Sequence, residues 1–485
     1  MKKLCRLLLP GALLLLLTGC LFRPPADLYK PPEAPPDYAQ LKAAISEVRS
    51  GLEAEFQTTP DAASIVSGDN TATIQLQDLD GDGLRESAVT FFKVPGIERP
   101  LKIYIFSQVG EDYAVTGLVE GDGAAIYSVD YVDLNGSGSR ELVVCWQIST
   151  GVYQLGAYTL DELDGVQKVT VTGSADRSTL LATQMLLTSC SMVTDGSNVS
   201  GGYCLLDFDQ DTRTEIAVAR IDSSGLGGLV EVYGWREGSF DSLGSVGLSS
   251  GIVSLNRLRS NCLKGELYPP ALYITGTLDG GSRVIDVTAY QQVEGKTEKQ
   301  LVNLSLDRET GVSRELLQGY TDAAPTDINE DYVLEVPSPT ALPSFGDAPA
   351  ANFWLIDWNQ YDADGGRTQV MTTYHNQSDG WYLELPEDWR DKITISRNDQ
   401  VSGQREVIFS LWLGPDESPQ PFLSIYRLTG NNRAAALARG GYFVLREEES
   451  AIYAARFYTC SWSCGLDETS LRDRFKTIQT GWYYE

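Results

Sequence analysis

Short apolar runs separated by turn residues dominate the chain from about residue 70 onward. Thr73-Ile-Gln-Leu-Gln77 alternates apolar and polar positions, whereas Ser87-Ala-Val-Thr-Phe-Phe92 and Leu142-Val-Val-Cys-Trp146 are close to continuously apolar. Both predict extended, β-rich segments, and the second pattern a strand covered on both faces. Further strands are predicted at Lys102 to Phe106, Tyr113 to Thr116, Tyr153 to Tyr158, Val166 to Val171 and Ile216 to Ala219. Their spacing, with turns between them, indicates an antiparallel all-β plan. One segment breaks it: Leu41, Ala44, Ile45, Val48, Leu52 and Phe56 fall on a helical period, which predicts an amphipathic helix at 37–58 packed at the edge of the β structure.

Between the strands an acidic loop recurs. Asp78-Leu-Asp80-Gly-Asp82-Gly-Leu84-Arg-Glu86 is its fullest form. The second copy carries Asp133, Asn135, Ser137 and Glu141, the third Asp207, Asp209, Asp211 and Glu215, and the fourth, running from Asp327 to Glu335, is the most eroded. Extended segments flank each loop, so the repeating unit is a small sheet that buries its faces only by stacking on its neighbours. The gap from Asp207 to Asp327 is about two periods, and Leu272 to Thr288 has the strand, turn, strand form of a unit without its acids. These units predict a mainly β fold: a β-propeller of about five four-stranded blades at 59–379. Pro337 to Pro349 reads as an inserted loop, followed by strands that complete the fifth blade. At 380–485 the acidic loops stop, and strands at Trp381, Ile393, Val407, Phe422, Gly441 and Ala451 lead to a terminal helix capped by Asp467. This predicts a small α+β C-terminal domain with an aromatic core.

The first loop resembles the calcium loop of FG-GAP and VCBS-type repeats in integrin-like β-propellers, over about residues 60–375. The resemblance implies a structural calcium ion. Its ligands in the first loop would be the carboxylates of Asp78, Asp80, Asp82 and Glu86 with the carbonyl of Leu84, since calcium takes six to eight oxygen donors in flexible geometry. In the second loop they would be Asp133, Asn135, Ser137 and Glu141; in the third, Asp207, Asp209, Asp211 and Glu215. The departures (Asn135 and Ser137 for acids, Gln210 and Thr212 for glycines, Tyr332 for a glycine) weaken the match from loop to loop. The same residues without metal make an Asx-rich turn held by side chain to backbone bonds.

The N-terminus adds a location. Lys2, Lys3 and Arg6, an apolar run to Leu17, and Leu17-Thr18-Gly19-Cys20 resemble a bacterial lipoprotein signal at 1–19, which implies a lipid on Cys20. Residues 20–36 form a proline-rich spacer. With its repeats and Trp-rich end, the chain resembles repeat-bearing lipoproteins of clostridial-type bacteria. The expected place is the extracytoplasmic face of the cell membrane. A net charge of −28 without a basic stripe excludes nucleic acid as a partner. Beyond Cys5 and Cys20, six cysteines remain, of which Cys460 and Cys464 are spaced for a small loop and Cys145 reads as buried. His375 is the one histidine, in a polar setting, so no catalytic triad is predicted. The expectation is a non-enzymatic, calcium-stabilised propeller that binds or scaffolds a protein or glycan partner. The alternatives are an extracytoplasmic polysaccharide hydrolase or lyase using carboxylates at the propeller mouth, or an accessory lipoprotein of an envelope or transport complex.

Overall fold

A computed structural model describes residues 36–110, 112–160, 183–190, 202–208, 211–221, 227–266, 270–320, 322–345 and 353–478. The signal, Cys20, most of the proline-rich spacer, the strand expected at Val166 and the side chain of Asp209 lie outside them. None of the described helices is long and apolar enough to cross a membrane.

Helix α1 (Pro36–Phe56) comes first. Sheet 1 holds β1 (Asp61–Ala62), β2 (Ile74–Gln77), β3 (Ser87–Lys93), β4 (Leu101–Val109) and β5 (Asp112–Gly121), with β1 and β2 both pairing β3. Sheet 2 runs in chain order through β6 (Ala125–Val132), β7 (Glu141–Ser149), β8 (Val152–Thr159) and β9 (Thr183–Cys190). Sheet 3 does the same with β10 (Tyr203–Leu206), β11 (Glu215–Ile221), β12 (Gly228–Arg236) and β13 (Ser239–Gly247). Sheet 4 comprises β14 (Ile252–Asn261), β15 (Ala271–Leu278), β16 (Arg283–Gln291) and β17 (Gln300–Asn303), with β18 (Glu315–Leu317) also on β16. Sheet 5 takes β19 (Val336–Ala341), β20 (Trp354–Tyr361), β21 (Arg367–Asn376) and β22 (Trp381–Leu385). Sheet 6 is ordered β23 (Ile393–Asn398), β24 (Gln404–Leu411), β25 (Gln420–Thr429), β27 (Ala451–Phe457), β26 (Phe443–Glu447). Helix α2 (Arg433–Gly440) lies between β25 and β26, α3 (Glu468–Arg474) follows β27, and β28 (Phe475–Thr477) returns to pair with β22.

Every strand pairing within the sheets is antiparallel, and each sheet packs face to face on the next. Val89, Phe91, Ile103 and Ile105 of sheet 1 meet Ile126, Val144 and Trp146 of sheet 2 in one core. Tyr127, Cys145 and Leu155 on the opposite face of sheet 2 meet Ile216 and Val218 of sheet 3. Sheets 3 and 4 join through Ala217, Val230, Leu272 and Ile274, and sheets 4 and 5 through Tyr273, Ile285, Val336 and Tyr361. The continuously apolar sequences of β3 and β7 reflect this stacking, since a strand inside the row has no wet face. Each fully buried Val, Ile or Phe contributes about 1.5–3 kcal/mol.

The two outer faces of the row are covered. Leu41 and Leu52 of α1 pack with Ala44, Ile45, Val48 and Phe56 on Phe92, Tyr104, Phe106 and Leu118 of sheet 1. At the other end, Ala436 and Leu437 of α2 pack on Tyr426, Leu428 and Ile452 of sheet 6. Among the described residues no hydrophobic cluster joins sheet 1 to sheet 6. The fold is therefore mainly β with several antiparallel sheets, and among the described residues it shows no closed ring.

Three expectations are corrected. The boundary at 379/380 falls inside sheet 5, because β22 pairs with β21 and β28 adds to its outer edge. Beyond sheet 5 the chain builds a sixth sheet of the same antiparallel kind, which shares a core of Trp381, Leu383, Ile393, Val407 and Phe409 with sheet 5. The segment from Pro337 is no loop at its start, since Val336–Ala341 pairs with β20. Its prolines are tolerated because β19 is an edge strand, where a missing N–H on the open side breaks no ladder bond. The terminal helix is shorter than the helical spacing of Leu471, Phe475 and Ile478 predicts: Asp467 caps it through Ser470, and the chain turns extended at Phe475. The aromatic residues of this region are core, with Trp389 fully buried against Phe409, Phe422 and Trp462 and its indole N–H donating to Cys464 O.

Candidate functional site

The acidic loops share one backbone. In the first, Asp78 accepts from Gly81 N and Gly83 N; in the second, Asp133 accepts from Gly136 N and Gly138 N. Asp207 likewise takes Thr212 N, and Asp327 takes Asp331 N and Tyr332 N. The fourth and sixth positions are left-handed wherever they are described: Gly81 and Gly83, Gly136 and Gly138, Thr212, Glu330 and Tyr332 all have positive φ. Glycine is the natural residue there, yet the turn survives its loss in the third and fourth copies, because the leading Asp still binds the same amides. The first three loops lie side by side. Arg140 N donates to Leu79 O across 2.7 Å, and Gly136 faces the Arg213 side chain.

The loops differ in where their acids go. In the first, one carboxylate oxygen each from Asp78, Asp80 and Asp82 lies within 4.8 Å of the others, while Glu86 stays outside the cluster and Leu84 is exposed. In the second, Glu141 is buried and accepts from Leu134 N, Asn135 Nδ2 and Thr159 Oγ1, and Asn135 and Ser137 accept from the amides of Ser137 and Ser139. No three acids converge there among the described residues. In the third, Glu215 accepts from Phe208 N, and Asp211 accepts from Arg213 N and pairs with its guanidinium at 3.5 Å. The fourth, which the tyrosine at 332 makes look eroded in sequence, does bring carboxylates together: Asp327, Asp331 and Glu335 lie within 4.8 Å of one another. Gln360 Nε2 donates to both Asp331 and Glu335, and burial pushes Glu335 up to about 7, partly offset by bonds from Ile328 N and Gln360. The first and fourth loops thus offer hard oxygen donors suited to a metal ion.

A polar cleft of about 800 Å³ opens between sheets 4 and 5. One wall is made by the ends of β16 and β17 and the turn after them, with Glu294, Asn303, Asp307 and Glu309; the other by Asp364 and Gly365 in the turn between β20 and β21. Arg314, also in the lining, is held in place by donating from Nη2 to Leu304 O and from Nε to Ser305 O. Asp307 is held below the usual carboxylate range by the amides of Thr310 and Glu309. Sequence reasoning did not find this cleft, since its walls come from turns far apart in the chain and no motif marks them. A second, more apolar cleft of about 440 Å³ lies between sheets 5 and 6, with Phe353, Ile395 and Ile408 among its lining.

His375 sits in β21, buried between Trp358 and Tyr382, with ring centroids at 5.7 and 5.0 Å. Burial lowers its pKa to about 3. It therefore stays neutral in the fold and is removed from the surface where a substrate would reach it. Cys145 is buried as expected, and burial raises the Cys204 thiol to about 12. Cys460 and Cys464 are free thiols.

No protein-family model matches the chain, and no curated protein matches it. Among solved structures it is similar to the rhamnogalacturonan lyase YesW at 10% identity, over 73% of this chain and 70% of that one, with a TM-score of 0.26. It is similar to a Bacillus licheniformis rhamnogalacturonan lyase at 10% identity, over 72% and 89% of the two chains, with a TM-score of 0.23. A Fusarium graminearum GH93 α-L-arabinofuranosidase, in complex with arabinobiose, matches at 10% identity over 68% and 98%, again with a TM-score of 0.23. All three are enzymes, against the expectation that this chain is not one, and that expectation is not carried further. TM-scores this low carry no argument for what this chain itself does.

Proposed function

We propose that the chain processes a polysaccharide outside the cytoplasm, as a hydrolase or lyase whose working surface is the cleft between sheets 4 and 5. The observation that carries this reading is the lining of that cleft. Amides, carboxylates and a fixed guanidinium converge on one open space, which suits a ligand rich in hydroxyl groups and supplies the carboxyl groups that glycosidic chemistry requires. Asp307, kept ionised by two backbone amides, fits the base or nucleophile; a second cleft carboxyl, Glu294, Glu309 or Asp364, would act as the acid. Arg314, tied to two carbonyls, would orient the substrate without reorganising.

In this reading the sheets are blades of the propeller type, arranged as a capped row, and calcium at the first and fourth acidic loops staples neighbouring strands. The lipid on Cys20 holds the protein on the outer face of the membrane. Incubation with neutral and uronic-acid polysaccharides, with assays of reducing ends and of the ultraviolet absorbance of a new C=C bond, tests the reading. Turnover that is lost in Asp307→Asn with binding retained supports it. Binding without turnover of every polysaccharide overturns the catalytic half, and absence of binding overturns the whole.

A further inference from the structure

Tyr332 occupies the sixth position of the fourth acidic loop with φ at +69°, where the first two loops place Gly83 and Gly138. A left-handed backbone is unfavourable for a bulky side chain, so the position argues against tyrosine on grounds of local structure. Nor does the ring serve the core. It is 84% exposed, it packs on no other ring, and its hydroxyl has no hydrogen-bond partner among the described residues. An aromatic side chain held in a strained turn and pointed into water is a candidate for contact with something outside the chain.

Its place in the fold gives that contact a direction. β19 begins at Val336 opposite Asn359, so the loop before β19 and the turn after β20 lie at the same end of sheet 5. Gln360 ties them together through its bonds to Asp331 and Glu335. The segment at 262–264 touches both, with Cys262 bridging Val333, Lys264 bridging Asp362 and Lys264 N donating to Tyr361 O. That turn carries Asp364 and Gly365, one wall of the polar cleft. The cleft lacks an aromatic side chain in its own lining, and the loop that carries Tyr332 is tied to the end of sheet 5 that supplies one of its walls.

Resting on the reading of the cleft as a polysaccharide site, we propose that Tyr332 is an outlying subsite on which one sugar ring of the bound chain stacks. The face of a pyranose presents C–H groups, which the electron-rich face of a phenol ring attracts, while the sugar hydroxyls at the ring edge stay in water. The subsite would lengthen the stretch of polysaccharide held and fix its register in the cleft, without contact with the reacting atoms.

The test measures affinity and stability together for wild type, Tyr332→Gly, Tyr332→Phe and Arg314→Ala, with cellohexaose, xylohexaose and hexagalacturonate as probes in titration calorimetry. Glycine suits the left-handed position, so Tyr332→Gly is expected to unfold at the same or a higher temperature than wild type. It should bind the hexasaccharide about tenfold more weakly. Tyr332→Phe should bind as wild type does. Tyr332→Gly binding as tightly as wild type, while Arg314→Ala loses affinity, overturns the subsite and leaves the cleft reading standing. Wild type binding none of the three overturns both.

Discussion

The first and second acidic loops have the same turn, the same leading Asp bonds and the same pair of left-handed glycines, yet they balance their charge in different ways. In the first, Asp78, Asp80 and Asp82 gather three carboxylates at an exposed point and Glu86 stays apart. In the second, Asn135 and Ser137 replace two acids, and Glu141 turns inward to take Leu134 N, Asn135 and Thr159. A repeat can thus keep its shape by concentrating charge for a cation or by closing on its own hydrogen bonds. The backbone alone does not tell which. The fourth loop combines the two, because Glu335 takes Ile328 N and also faces Asp327 and Asp331.

The largest effect should come from breaking the self-satisfied loop. Glu141→Ala leaves a buried amide, a side-chain amide and a hydroxyl without their acceptor, at a cost of about 3 kcal/mol. Urea unfolding should show that loss equally in excess chelator and in millimolar calcium. A loss that calcium restores would mean the second loop holds metal after all. Asp80→Ala acts on the opposite principle. It should be near neutral in chelator and should forfeit the first loop's share of the calcium-dependent gain, about 2.7 kcal/mol for each occupied site when calcium stands at a hundred times its dissociation constant. The rest should vanish only when Asp331→Ala is added. A calcium response untouched in the double variant would assign the ion to some other place.

These loops are legible in the sequence because their chemistry is local. Nine consecutive residues carry the leading Asp, the left-handed positions and the closing Glu, so spacing alone locates them. The fourth is misleading because Tyr332 reads as a missing glycine, although the Asp327 bonds to Asp331 N and Tyr332 N keep the turn without one. Strand positions are legible for the same local reason. What eludes the sequence is assembled from distance: Arg314 and Asp364 line one cleft only because sheets 4 and 5 stack, and the sixth sheet looks like a separate domain because it lacks the acidic loop, not because its strands differ. The covering of the far end by α2 is equally hidden, and the helical period at 37–58, which places α1 at an edge, does not say which sheet it will meet.

Smaller changes sharpen the comparison between neighbouring loops. Gly81 and Gly83 share a left-handed backbone, but a Cβ on Gly81 would lie 2.0 Å from Gly138 O, whereas one on Gly83 meets open space. Gly83→Ala should therefore cost only the conformational penalty, about 1 kcal/mol. Gly81→Ala should cost roughly 2–3 kcal/mol, because it must push the second loop away. Equal midpoints for the two variants would show that the first and second loops are not in contact in solution.

The smallest and most specific effect belongs to the loop that combines both solutions. Burial raises Glu335 to about 7 from an ordinary 4.5, so in chelator the folded chain holds a proton there that the unfolded chain has released. The stability this contributes is full below pH 4.5 and is lost as pH rises through about 7, with a slope that cannot exceed about 1.4 kcal/mol per pH unit for one group. A bound cation requires the ionised carboxylate, so any calcium response of the fourth loop should grow over the same window as the metal-free stability declines. Glu335→Gln keeps an acceptor for Ile328 N and removes the titration. Subtracting its pH profile from that of wild type isolates the group from His375, whose depressed pKa acts in the opposite sense, adding stability as pH rises from about 3 towards 6.5. A difference profile that is flat between pH 4.5 and 7 would mean that Glu335 is already ionised in the fold, held by its bonds to Ile328 and Gln360, and that the fourth loop behaves like the second.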